Sequence, residues 1–432
     1  MRCLVIKPSE LSGEVYIPPS KSMAHRAIIC AFLADGTSEI DNIELSEDIM
    51  STCQAVISLG GSIDILDSSL PGRKKLIVHG TGTVTVKNDR INCGESGTTA
   101  RFIMPVSRLT KDAVTIDGKG KLVSRPFDAF FPVFDASKIS YEVIDGKLPM
   151  TLKGCLRPGN YSIRGDISSQ FISGLLLALP LLDEDSTIQI TTKPESEAYI
   201  DMTIHMQKIF GVNIYFIRKE NRLVIPGRQK YVPQKYFAEG DWSQAAFWLA
   251  AGVFSGPVSV AGLNRNSLQG DKVIENIIKN MGGNVYWDVD RLIAKKSSLR
   301  GVMVDVSQCP DLAPILAVLG SGCKGRMEIL NGQRLRIKES DRIKAIVTEM
   351  GNLGADIHEV GDNIVINGRS RLSGGRTNSW NDHRIVMSVA IASVLCENNV
   401  IIEGFNAVNK SYPSFWEHYM SLGGNTVEQC LG

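Results

Sequence analysis

Five short polar stretches carry most of the chemistry open to this chain: PPSKSMAHR at 18–26, NCGESGTTARF at 92–102, DISSQF at 166–171, RLRIKESDR at 334–342 and NDHR at 381–384. The first opens a helix, with Lys21 and Ser22 in its first turn and Arg26 one turn on from Ser22. Unpaired amides at a helix start favour an anion, and two cations strengthen that field. In the second, Gly94 and Gly97 frame a turn with hydroxyls on Thr98 and Thr99 and a cation at Arg101; close approach of backbone to an oxyanion needs residues without bulk. The third sets Ser168, Ser169 and Gln170 at the start of another helix, where serine also serves as an ordinary cap. The fourth alternates as a strand through Arg336 and Lys338 and then turns helical, which gathers Lys338, Glu339 and Arg342 at one strand-to-helix junction. NDHR repeats that arrangement. Cations and hydroxyls at helix starts in both halves of the chain point to a small ligand with several negative charges, each charge-assisted contact contributing roughly 1.5–3 kcal/mol.

Standard catalytic motifs are absent. GTGTVTVK from Gly80 lacks phosphate-loop spacing, GKGKLV from Gly118 lacks the third glycine of a dinucleotide fingerprint, and no histidines stand as H-x-x-x-H. GESGT from Gly94 is out of frame for a nucleophile elbow. ATP binding, nicotinamide binding, zinc chemistry and serine hydrolysis all lose weight.

The elements that must position these stretches come as a repeat. DIMSTCQAVISLGGSIDI at 48–65 is a helical pattern, a glycine and an alternating tail, and the same order recurs at 199–217, 270–288, 340–360 and 412–429. A degraded copy at 125–143 lacks the glycine. Landmarks near 61, 137, 211, 283, 354 and 424 divide the chain into six units of about 72 residues. Further helices are expected at 22–34, 98–107, 169–181, 243–254, 310–320 and 383–396, so each unit carries two helices amid short strands. Three units per half make two similar domains, with a boundary in the polar stretch 228–241.

The 432 residues include 47 basic and 46 acidic side chains, a formal charge of +1, which disfavours a nucleic-acid partner. The longest apolar stretch, 171–182, is broken by Ser173, Gly174 and Pro180, well short of the roughly 18–20 residues of a membrane span. The N-terminus lacks a secretory pattern, and nine scattered cysteines without a C-x-x-C pair read as reduced thiols. A cytoplasmic protein is expected.

Assembled, these stretches resemble the 5-enolpyruvylshikimate-3-phosphate synthase family of enolpyruvyl transferases. The resemblance runs from PPSKSMAHR through GESGTTAR, the SRP holding Arg125, SSQF, the PDLAP holding Asp311, RIKESDR and NDHR to the NKSYPSF holding Lys410, nearly the whole chain in the family's order. KESDR and DHR are its most specific elements. It implies an α/β fold of two similar domains, each of three βαβαββ units, with residues 1–20 plus 237–432 in one, 21–236 in the other and substrates between them. It also implies transfer of the enolpyruvyl group of phosphoenolpyruvate to the 5-hydroxyl of shikimate 3-phosphate, with release of phosphate, by addition and elimination.

Carried onto this sequence, the resemblance makes Asp311 the base at the 5-hydroxyl, Glu339 the group that protonates the methylene, and Lys21 a contact to both substrates. Gly97, Arg125, Gln170, Arg342, Arg384 and Lys410 would hold phosphoenolpyruvate. Ser22, Arg26, Ser168, Ser169, Gln170, Ser196, Asp311 and Lys338 would hold shikimate 3-phosphate, with Thr98, Arg101, Tyr199 and His383 in support. No metal, no cofactor and no nucleic-acid or membrane partner is implied, and a monomer is expected. Glu95 and Arg334 depart from the family pattern; Glu95 is expected to turn away from the ligand or to pair with a cation. UDP-N-acetylglucosamine 1-carboxyvinyltransferase shares fold and donor, but this chain has no cysteine in GKGKLVSRP before Arg125. A non-catalytic repeat protein that binds an anion would give Asp311 and Glu339 no reason to meet Lys338 and Arg342.

Overall fold

The computed structural model describes residues 2–430. It contains six four-stranded sheets of one topology. Residues 90–153 show that topology in full: strand Arg90–Asn92, helix Gly97–Val106, strand Val114–Asp117, helix Phe131–Ser137, then the hairpin Ser140–Ile144 and Lys147–Lys153. The first two strands pair in parallel, Arg90 opposite Thr115, as a crossover helix requires, and the hairpin adds two antiparallel strands. These are the expected βαβαββ units, six in number.

Within each unit the two helices differ in kind. The first is apolar on nearly every side and is buried: Lys21–Leu33, Gly97–Val106 and Ser169–Ala178 in one set, Trp242–Phe254, Ala313–Ser321 and His383–Ala392 in the other. The second keeps a solvated face, as in Glu47–Ser58 and Arg342–Asn352. Buried first helices are rigid carriers, and the polar stretches sit at their starts.

The second helices end in a left-handed residue at Gly60, Gly211, Gly282, Gly354 and Gly423, and at Lys138 in the copy that lacks glycine. Landmarks 61, 283 and 424 fall on the second glycine of a pair, where the constraint is space rather than φ. A Cβ on Gly61 would lie 2.8 Å from Val56 Cγ1 of the helix just ended.

The chain divides into two compact units, one of Met1–Pro18 with Glu239–Gly432, the other of Pro19–Ala238. Each has its own hydrophobic core. The discontinuity has a cause in the sheets. Strand Gly13–Tyr16 pairs in parallel with Val258–Ala261 and opens the repeat whose helix is Trp242–Phe254. Strand Lys235–Phe237 pairs in parallel with Asp35–Ile43 and opens the repeat whose helix is Lys21–Leu33. Strand Arg2–Lys7 completes the last sheet beside Val400–Glu403 and Asn425–Cys430.

One local expectation is corrected. RLRI is not a strand: Arg326–Leu330 is the strand, and Gln333–Ile337 is a single 3-10 stretch. Asn331, left-handed at φ 61°, ends the ladder, and the Gly332 amide donates to the Asp362 carbonyl instead. The alternation that suggested a strand had no second face to fill, for Leu335 is buried while Ile337 stays exposed. Among the described residues no helix is long and apolar enough to cross a membrane.

Candidate active site

The unit Pro19–Ala238 presents three polar helix starts. Ser20 caps Lys21–Leu33 by accepting from the Met23 amide, and Lys21 Nζ lies 2.5 Å from Asp48 Oδ2 of the next helix. Arg26, fully buried, donates from Nε to Thr203 Oγ1 at 2.8 Å and from its terminal nitrogens to the Ser22 and Tyr199 carbonyls at 2.7 and 3.0 Å. Its guanidinium lies 5.0 Å from the Phe102 ring centre and 5.9 Å from that of Tyr199. Burial lowers its pKa to about 10, opposed by Tyr199 and Cys30, so it stays a cation at neutral pH.

Helix Gly97–Val106 meets Ser169–Ala178 closely because Gly174 has no side chain; a Cβ there would collide with the Arg101 carbonyl. This approach brings Gln170 to its partners: Arg101 Nη1 donates to Gln170 Oε1 at 2.7 Å, and Gln170 Nε2 donates to Thr98 Oγ1 at 2.7 Å. Arg101 also stacks over Phe171 at 5.0 Å. Gly97 is required by space of another kind, since a Cβ on it would lie 2.8 Å from the Nη1 atoms of both Arg101 and Arg125. Arg125 is buried after the 3-10 stretch Gly120–Ser124. Ser168 caps the Ser169 helix through the Gln170 amide at 3.3 Å, Ser169 is buried, and Ser196, buried and left-handed at φ 54°, precedes Glu197–Ile209. Glu95 directs its carboxylate at Gly120, where a Cβ would lie 2.7 Å from the carboxyl carbon.

In the other unit a network of charges forms around Arg342, 1% exposed at the first position of its helix. Arg342 Nη1 donates to Asp311 Oδ1 at 2.8 Å, Nη2 to Glu339 Oε2 at 2.6 Å, and Nε to Asp382 Oδ2 at 2.8 Å. Asp311 accepts further from Lys338 Nζ at 3.4 Å and from Arg384 Nη2 at 3.1 Å. Burial pushes the Asp311 carboxyl up, but Arg384, Lys338 and Arg342 together outweigh it and hold the group well below the usual carboxylate range. Lys338 moves the other way, burial lowering it against the pull of Asp311. Burial likewise opposes the charge on Asp382, yet Arg342 keeps its pKa below the ordinary value. Asp382 is fully buried, caps His383–Ala392 through the Arg384 amide at 3.0 Å and accepts from Ser340 Oγ at 3.0 Å. His383 is buried, with Nδ1 3.9 Å from Asp382 Oδ1. Lys410 is also buried and donates to the Asn381 carbonyl at 2.8 Å.

The expected residues therefore form two gathered sets, one in each unit. Asp48, Asp382 and Glu349 are parts of these sets that sequence reading passed over. Asp382 had a signal, a capping carboxylate two residues before Arg384; Asp48 had none, because its link to Lys21 is tertiary. Arg334, a departure from the expected pattern, is buried beside this network. Trp380 and Asn381, just before Asp382, are left-handed at φ 51° and 54°, a conformation that costs non-glycine residues roughly 1–3 kcal/mol each.

Residues 5–419 match the family model described as EPSP synthase (3-phosphoshikimate 1-carboxyvinyltransferase). The chain is 47% identical to the 3-phosphoshikimate 1-carboxyvinyltransferase of Clostridium novyi over 435 residues and 42% identical to that of Clostridioides difficile over 437, in each case over all of both chains. Among solved structures it is similar in fold to EPSP synthase from Acinetobacter baumannii, at a TM-score of 0.82 and 24% identity, with both chains fully covered. An enolpyruvyl transferase from Streptomyces tendae shares the fold at a TM-score of 0.80 and 15% identity, over 100% of this chain and 99% of that one.

Proposed function

The chain belongs to the EPSP synthase (3-phosphoshikimate 1-carboxyvinyltransferase) family, and on that premise we propose how its two polar sets divide the work. The protein transfers the enolpyruvyl group of phosphoenolpyruvate to the 5-hydroxyl of shikimate 3-phosphate in the shikimate pathway. Residues 21–236 hold shikimate 3-phosphate: Ser22 and Arg26 its carboxylate, Ser168, Ser169 and Ser196 its phosphate, the latter with Lys338 of the other division. Residues 1–20 with 237–432 supply the acid and base and hold phosphoenolpyruvate through Arg342, Arg384 and Lys410. Lys21, Gly97, Arg125 and Gln170 complete its grip.

The observation that carries this division is Asp311, one carboxylate facing Lys338, Arg342 and Arg384 with Glu339 on the same arginine. In the addition, Glu339 delivers a proton to the methylene carbon of phosphoenolpyruvate. The 5-hydroxyl oxygen bonds to the neighbouring carbon, and its proton passes to Asp311. A tetrahedral ketal results. In the elimination the bond from that carbon to the phosphate oxygen breaks, the new methyl group loses a proton, and inorganic phosphate leaves. Asp311 held so acidic is a weak base. A bound carboxylate that shares Arg342 and Arg384 dilutes their hold on Asp311 and moves its pKa back toward the ordinary range, so donor binding itself activates the base.

A cytoplasmic monomer is part of the same proposal, and nine cysteines without a disulfide support a reducing compartment. The test is phosphate release from shikimate 3-phosphate and phosphoenolpyruvate by the purified chain. Equal turnover with UDP-N-acetylglucosamine as acceptor would defeat the acceptor assignment.

A further inference from the structure

Glu349 lies nearly two turns along the helix from Arg342, 2% exposed, and no cation pairs with it among the described residues. Its two oxygens instead take three neutral donors: Oε2 accepts from the Asn378 amide at 2.9 Å and from Asn352 Nδ2 at 3.2 Å, and Oε1 accepts from the indole Nε1 of Trp380 at 2.6 Å. Two of these donors belong to the turn 378–381. Inside that turn the Trp380 amide bonds Asn378 Oδ1 at 2.8 Å, and the Asn381 amide bonds Ser379 Oγ at 3.1 Å. Trp380 and Asn381 both have positive φ, a shape that a bulky residue keeps only when its surroundings enforce it. Everything that leaves the turn leads to the cations of the site. Asp382 follows directly and binds Arg342, Arg384 comes two residues later and binds Asp311, and the Asn381 carbonyl receives Lys410.

We propose that Glu349 is a positioning residue for phosphoenolpyruvate: its buried carboxylate clamps the left-handed turn 378–381 and thereby fixes Asp382, Arg384 and Lys410 in the arrangement that receives the donor's carboxylate and phosphate. The inference rests on the reading that Arg342, Arg384 and Lys410 bind phosphoenolpyruvate. Glutamine cannot replace this carboxylate, because its single oxygen accepts from the Asn378 amide or from the indole but its NH2 meets the other donor with a like group.

The test is steady-state phosphate release by Glu349→Gln, with each substrate varied in turn. The KM for phosphoenolpyruvate should rise by about 10-fold or more, while that for shikimate 3-phosphate stays within about two-fold. Trp380→Phe in the Glu349→Gln background removes the conflicting donor and should return much of the loss, so the two changes are not additive. Equal rises in both KM values, or strict additivity, would overturn the proposal in favour of a general stability role. Arg384→Lys serves as the control. If it raises the KM for phosphoenolpyruvate and Glu349→Gln does not, the clamp is refuted and the cation assignment stands; if neither raises it, the assignment falls and takes the clamp with it. Should Glu349→Gln fail to fold, Trp380→Phe alone, which deletes one of the three hydrogen bonds, must still raise the KM for phosphoenolpyruvate selectively or the clamp is refuted.

Discussion

Arg342 donates to Asp311 across 2.8 Å, so the carboxylate proposed to take a proton is held by the guanidinium proposed to grip the donor. Arg342→Lys keeps the charge but loses the fork that serves three carboxylates at once. Its KM for phosphoenolpyruvate should rise by about 10- to 100-fold in steady-state assays, from the loss of roughly 1.5–3 kcal/mol of charge-assisted bonding. An unchanged KM would remove Arg342 from donor binding.

Glu339→Gln keeps the size of the side chain and removes its proton. Turnover should fall by about 10²–10⁴-fold. Calorimetric titration should find shikimate 3-phosphate binding close to that of the unaltered protein. Full turnover in this variant would assign the methylene protonation elsewhere.

Gly97→Ala puts a methyl group 2.8 Å from the Nη1 atoms of Arg101 and Arg125, so one guanidinium must shift. The expected outcome is a KM for phosphoenolpyruvate raised about 10-fold, the equivalent of one weakened charge-assisted contact. A crystal structure in which neither guanidinium has moved would leave that effect without its cause.

Asp382 titrates below its ordinary value in the folded chain. Its stabilisation is therefore present above the unfolded value of about 3.9 and is lost as pH falls through the lower folded value. Asp382→Asn, which leaves Arg342 short of one buried carboxylate, should cost about 3–5 kcal/mol at neutral pH. Thermal melts should show the gap between the two proteins wide at neutral pH and closing only below about pH 4. A gap independent of pH down to acid unfolding would contradict the linkage.

Gly174→Ala overpacks the contact with the Arg101 carbonyl and should lower stability by about 1–3 kcal/mol in denaturant titration. It should also pull Gln170 from Arg101 and Thr98, raising KM values along with the melting change. Stability loss with untouched kinetics would show that the Gln170 bridge does not depend on this helix contact.

The repeat was legible in the sequence because helix, left-handed glycine and alternating strand each leave a local pattern, and six buried first helices were located to within a few residues of their ends. The copy without glycine was legible too, although only the structure shows Lys138 taking the left-handed role. The polar stretches at helix starts stood out because anion sites need few residues in fixed order. What stayed hidden is tertiary. RLRI looks like a strand until Asn331 is seen to end the ladder, and Glu349 looks like a solvated helix residue until the turn 378–381 is seen to cover it. No spacing in the sequence links Asp48 to Lys21.

The two exchanged strands have a consequence for how the protein is made. During synthesis Arg2–Lys7 and Gly13–Tyr16 emerge first, but their partners are Val400–Glu403, Asn425–Cys430 and Val258–Ala261. The unit Pro19–Ala238 has all of its strands once Lys235–Phe237 has left the ribosome, and it can close while the rest is still being translated. The unit that carries Asp311 and Arg342 cannot close until its last strand arrives. Its two N-terminal strands must wait through the translation of nearly the entire chain with open edges, so an elongation pause late in the message prolongs the interval in which those edges are exposed to aggregation.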